Sequence, residues 1–121
     1  MIILDANAIL RYILRDIPEQ AERVAETIIN NKVLILPEVV AEIVYVLKGH
    51  YGVARENISD VILDVLDDTE CDSLVLREGL YAYRRTNMDI VDCFLFAYST
   101  THKIFTFDKR LDNLIAKGLA E

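Results

Sequence analysis

Two short apolar runs, Ile2-Ile3-Leu4 ending at Asp5 and Val33-Leu34-Ile35-Leu36 ending at Pro37, read as strands buried on both faces. Between them, Ala21, Val24, Ala25 and Ile28 share one face of a helix expected over 19–31, with Asp16 and Glu19 spaced as a capping box. Val39, Ile43, Val46 and Leu47 predict a helix over 38–51, closed by Gly49 and Gly52, and Ile58, Val61, Ile62 and Val65 predict another over 57–66. A weak strand is expected near 73–75, then a helix to about position 84. Residues 90–98 are apolar nearly all the way round, the pattern of a helix buried on most sides. Ile104-Phe105-Thr106-Phe107 reads as a last strand ending at Asp108, followed by a short helix over 110–117. Strands alternating with helices predict an α/β fold, a three-layer α/β/α arrangement with a central parallel sheet.

A chain of 121 residues fits one domain, expected over 1–121. With 53% apolar and 27% charged residues it has material for a core and no compositional basis for disorder. No apolar stretch approaches the roughly 20 residues that span a bilayer, and Met1 leads into Ile2-Ile3-Leu4 without a basic start. A cytoplasmic protein without a membrane segment is therefore expected. Cys71 and Cys93 are too few and too isolated for a disulfide framework or a zinc site, and read as ordinary thiols; His50 and His102 read as solvated residues at helix ends. The net charge of −7 argues against gripping nucleic acid by a basic face alone. Either nucleic acid is not the partner, or a cation mediates.

The placement of the acids favours the cation. In open parallel sheets ligands bind beyond the carboxyl ends of the strands, where Asp5 and Asp108 fall. An acid there also serves as a helix cap, so neither is decisive alone. Glu42 lies on a helical wheel about 60° from the centre of its helix's apolar face, just over a turn after the second strand. Asp92 is set among Ile90, Val91, Phe94, Leu95 and Phe96, where an ionised carboxylate needs a partner. Asp89 has a competing explanation as part of a capping box, Thr86-Asn87-Met88-Asp89. Converging carboxylates raise one another's pKa unless a cation compensates, and an all-oxygen set without Cys or His suits Mg²⁺ or Mn²⁺. Such ions bind a phosphodiester and activate water.

Four segments carry a family resemblance: Ile3-Leu4-Asp5-Ala6-Asn7-Ala8-Ile9-Leu10-Arg11, Pro37-Glu38-Val39-Val40-Ala41-Glu42, Asp89-Ile90-Val91-Asp92-Cys93-Phe94-Leu95-Phe96-Ala97 and Thr106-Phe107-Asp108. In this order, over essentially the whole chain, they resemble the acidic motifs of PIN domains, specifically the short VapC-type toxins. The resemblance implies a central parallel sheet, Mg²⁺-dependent endoribonuclease activity on RNA, a homodimer and a cognate antitoxin protein. By position it implies metal-site roles for Asp5, Glu42, Asp92 and Asp108, with Asp89 as a fifth acid, and supporting hydrogen bonds from Asn7 and Thr106. Ala6 departs from the pattern, since many members carry a hydroxyl residue there. An antitoxin helix is expected against an apolar rim of Ile9, Leu10, Ile13 and Val46, residues whose helical spacing equally fits a core. A phosphatase of the haloacid-dehalogenase kind needs Asp-x-Asp, and Asn7 stands at the second position. The rival from another class is a catalytically inactive PIN-like module that binds protein or RNA.

Overall fold

The computed structural model describes residues 1–71 and 73–119, which belong to two compact units, Met1–Asp72 and Ser73–Glu121. The first unit runs β1 (Ile2–Ile3), α1 (Ala6–Leu14), α2 (Pro18–Asn30), β2 (Val33–Leu34), α3 (Pro37–Gly49) and α4 (Arg55–Asp68). β1 and β2 pair in parallel, Ile2 opposite Val33 and Ile3 opposite Leu34. A parallel pair needs a crossover, and α1 with α2 supplies it. Pro18 and Pro37 occupy first helical positions, where a missing N–H costs nothing and the fixed φ is already helical. α1 packs against α2 and α3, and α3 against α4. Ile9, Val40, Ile43, Leu47, Ile58, Ile62 and Leu66 are buried side chains of this unit.

α1 is a helix missing from the expectation, although Ala6, Ile9 and Leu10 carry its buried face at helical spacing. Ile9 and Leu10 are therefore core, and the expected apolar rim keeps only the half-buried Ile13 and Val46. The capping box at Asp16 does not form. Ile17 is the N-cap of α2 without a side-chain bond, and Asp16 instead accepts from Arg11 Nη1 at 2.7 Å.

The second unit runs α5 (Leu74–Arg85), α6 (Ile90–Tyr98) and α7 (Lys109–Lys117). Ser73 caps α5 by accepting from Leu76 N at 3.2 Å, so the weak strand expected at 73–75 is a helix start. Residues 104–107 form no strand. Their composition suits one, but a strand exists only where its backbone groups pair, and among the described residues of this unit there is no strand to pair with. Phe105 and Phe107 are 86% and 89% exposed, their rings edge to face at 5.3 Å. Of the expected central sheet, the described residues form the β1–β2 pair alone, with Ile3 and Leu34 exposed rather than buried on both faces. The molecule is an α/β protein, mostly helical, with a small parallel sheet. Among the described residues no helix is long and apolar enough to cross a membrane.

Gly79 lets α5 approach α6: a Cβ there would collide with the Phe94 ring, reaching its Cε1 at 2.7 Å. Overpacking a core costs about 1–3 kcal/mol, while alanine gains about 1 kcal/mol over glycine within a helix. Gly79→Ala is therefore expected to lose up to about 2 kcal/mol, read as a lower urea midpoint. A raised midpoint would show that the Phe94 ring yields without cost.

Candidate metal centre

Each expected site acid sits where an element begins or where a helix turns its polar side outward. In the first unit, Leu4 links β1 to Asp5, whose extended backbone makes it the N-cap of α1, with Oδ1 accepting from Ala8 N at 2.8 Å. The cap bond occupies one oxygen of an exposed carboxylate. Asn7 follows in the first turn of α1, also exposed. A groove of about 580 Å³ opens beside them, bordered by Asp5, Asn7, Arg11, Gln20 and Arg23 among others. Glu42 is exposed on α3 between the buried Ala41 and Ile43, with no hydrogen bond or ion pair among the described residues.

In the second unit Asp89 is the N-cap of α6, accepting from Val91 N at 3.1 Å through Oδ2. The capping box expected from Thr86 does not form: Thr86 ends α5, donating to Ala82 O at 2.9 Å and accepting from Met88 N at 3.2 Å. Asp108 is the N-cap of α7, its Oδ1 accepting from Arg110 N at 2.9 Å and Leu111 N at 3.3 Å. Thr106 Oγ1 accepts from Asp108 N at 3.0 Å and holds the turn that presents it. Asp92 stands in the first turn of α6, half-buried. Burial pushes its pKa up, the charges of Asp89 and Asp108 push it further, and the Arg110 guanidinium opposes them. Among the described residues no arginine forms an ion pair with Asp92.

Asp5, Asp89 and Asp108 are thus all caps, so capping does not separate Asp89 from the others. Among the described residues of either unit, no three or more acid, His or Cys side chains gather tightly enough to hold a metal ion. Cys71 and Cys93 are buried free thiols, and His50 and His102 are exposed. The donor chemistry around Asp92 nevertheless fits a hard cation: the two groups whose negative charge acts on it, Asp89 and Asp108, are carboxylates, oxygen donors like Asp92 itself.

A sequence profile of the PIN domain matches residues 2–117, a span that takes in both units. The chain belongs to the PIN domain family. PIN domains are commonly nucleases, hydrolases that act on nucleic acid and usually use divalent metal ions. Comparison with curated proteins and with solved structures found no match. In this PIN domain, sequence reasoning missed Arg110 and Asn87, whose side chains bond to each other (Arg110 Nη2 to Asn87 Oδ1). The signal was present as a basic pair, Lys109-Arg110, directly after Asp108.

Proposed function

We propose that this PIN domain is a metal-dependent endoribonuclease, the toxin of a toxin–antitoxin pair, and that its two units act as one domain. Asp5, Glu42, Asp92 and Asp108 serve as its catalytic acids for Mg²⁺ or Mn²⁺, with Asp89 as a fifth acid and Asn7 and Thr106 in support. The observation that carries this reading is the family match over 2–117, with an acid at each of the four motif positions. The raised pKa of Asp92 supports it, because mutually repelling carboxylates are what a bound cation relieves. When bound, such a cation supplies positive charge to a phosphodiester and makes water a stronger acid.

The chain's own residues do the rest. The cap bonds of Asp5 and Asp108 fix their carboxylates in orientation, which lowers the entropy cost of holding a ligand. Thr106 fixes the backbone before Asp108, and Asn87 holds the Arg110 guanidinium beside the acids of the second unit. Hydrolysis adds water across a P–O bond: the water oxygen joins phosphorus and a proton goes to the departing oxygen. Incubating the purified chain with structured and unstructured RNAs, in Mg²⁺ or EDTA, and mapping the ends tests this. Cutting at discrete sites only with the cation is expected. Intact RNA under both conditions would leave the alternative, a catalytically inactive PIN-like module that binds protein or RNA.

The same reading makes the protein a cytoplasmic homodimer with an antitoxin whose basic side chain enters among the carboxylates, an arginine being suited to bidentate bonds. The exposed Ile3, Ile29, Leu74, Phe105 and Phe107 leave apolar surface for such contacts. Light scattering is expected to give about twice the 13.8 kDa chain mass, and expression of the chain alone to arrest growth. A monomer with unaffected growth would refute this part.

A further inference from the structure

The second unit contains a cavity of about 370 Å³ lined by Arg85, Arg110 and Lys117, with Asn87, Asn113 and Thr86 as uncharged polar neighbours and no carboxylate among the described residues of its wall. In a chain with 20 acids against 13 lysines and arginines, a wall of three cations without an acid is a local reversal of sign. Helix dipoles account for part of it. Arg85 lies in the last turn of α5 and Lys117 in the last turn of α7, where a cation is favoured. Arg110 is the opposite case: it is the second residue of α7, where the helix presents its positive end and a cation is disfavoured. It is held there by Asn87, and its backbone N donates to Asp108 Oδ1 at 2.9 Å, so the cavity borders an acid of this unit.

We propose that this cavity is a phosphate subsite, which binds the backbone of single-stranded RNA next to the phosphodiester that is cut. The inference rests on the ribonuclease reading above and adds where the negatively charged substrate is gripped by an acidic protein. Arg110, adjoining the acids, and Lys117, at the far end of the same helix, mark the direction in which the strand runs. Asn87 and Asn113 offer amide donors to phosphate oxygens or ribose hydroxyls.

The test uses the full chain carrying Asp92→Asn, so that RNA is bound but not consumed, with a short single-stranded RNA in Mg²⁺. Affinity is measured across a range of salt. Adding Lys117→Ala is expected to weaken binding on every RNA sequence tried and to lower the slope of log affinity against log salt by about 0.7, the value for one lost phosphate contact on a single strand. Lys117→Arg is expected to restore the slope, and Lys48→Ala, which removes an equal charge from the exposed end of α3, to leave it unchanged. If Lys117→Ala keeps the parent slope while the unmutated chain cuts RNA, the subsite is refuted and the nuclease reading stands. An equal fall in slope for Lys48→Ala would reduce the effect to net charge and also refute it. If the unmutated chain neither binds nor cuts RNA, both fall together.

Discussion

Replacing Asp92 by Asn is expected to cut the rate of RNA cleavage about a thousandfold, the equivalent of about 4 kcal/mol at the transition state, while making the metal-free protein more stable. Rate and stability move in opposite directions because Asp92 is held against its own electrostatic preference. Burial raises its pKa first, then the charges of Asp89 and Asp108. A carboxyl whose folded pKa lies above its unfolded value makes the folded state bind the extra proton, so its cost is absent below the unfolded pKa. That cost grows as pH rises toward the folded pKa and is fully present above it. In EDTA, Asp92→Asn is therefore expected to unfold at a higher temperature than the unmutated chain at pH 7, with the gap closing near pH 3, below the unfolded pKa of about 3.9. Wild-type cleavage rates in the mutant would refute the site. A gap of the same size at both pH values would refute the electrostatic account.

Asp5→Asn and Asp108→Asn are expected to lose cleavage on a similar scale, yet to keep their helices. Asparagine caps a helix about as well as aspartate, so the bonds to Ala8 N at α1 and to Arg110 N and Leu111 N at α7 survive the exchange. Only the charge goes. Alanine at either position removes charge and cap together and adds a stability loss of about 1 kcal/mol. This pairing separates chemistry from folding at residues that serve both. Asp89, a cap, is expected to rank below Asp92, which caps no helix: Asp89→Ala should lose cap stability with a much smaller loss of rate than Asp92→Ala. Comparable rate losses for the two alanine variants, measured on the same RNA, would place Asp89 on an equal footing with Asp92.

Helices that bury a periodic stripe were legible in the sequence. α6 is bounded as the apolar pattern from Ile90 to Tyr98 predicts, and α3 and α4 depart only at their ends, where caps rather than stripes decide. α1 escaped because Asp5 marks the end of an apolar run and draws attention to the strand, while the first buried residue of the helix, Ala6, gives little hydrophobic signal. The segment at 104–107 shows the reverse failure. Ile104, Phe105 and Phe107 have the composition of a strand, but strand formation depends on a partner that composition does not specify. Both capping boxes failed for a related reason: Pro18 and Asp89 set the helix starts more strongly than the spacing of Asp16 and Glu19 or of Thr86 and Asp89. Of the candidate site, the acids were visible by residue type and Asp5 also by its position after β1, whereas the strand expected before Asp108 does not form. Arg110, Asn87 and the basic cavity were not, because cations spread over 85, 110 and 117 meet only once α5 and α7 are folded.

On the proposed reading, Asp5 and Asp92 both serve to bind the cation. Calorimetric titration of Mg²⁺ or Mn²⁺ into the metal-free chain measures this, with Asp5→Asn from the first unit and Asp92→Asn from the second run beside it. Saturable binding by the unmutated chain is expected, with a loss of about tenfold or more in affinity for each variant, about 1.4 kcal/mol or more in binding free energy. No binding by the unmutated chain, or undiminished binding in either variant, would contradict it.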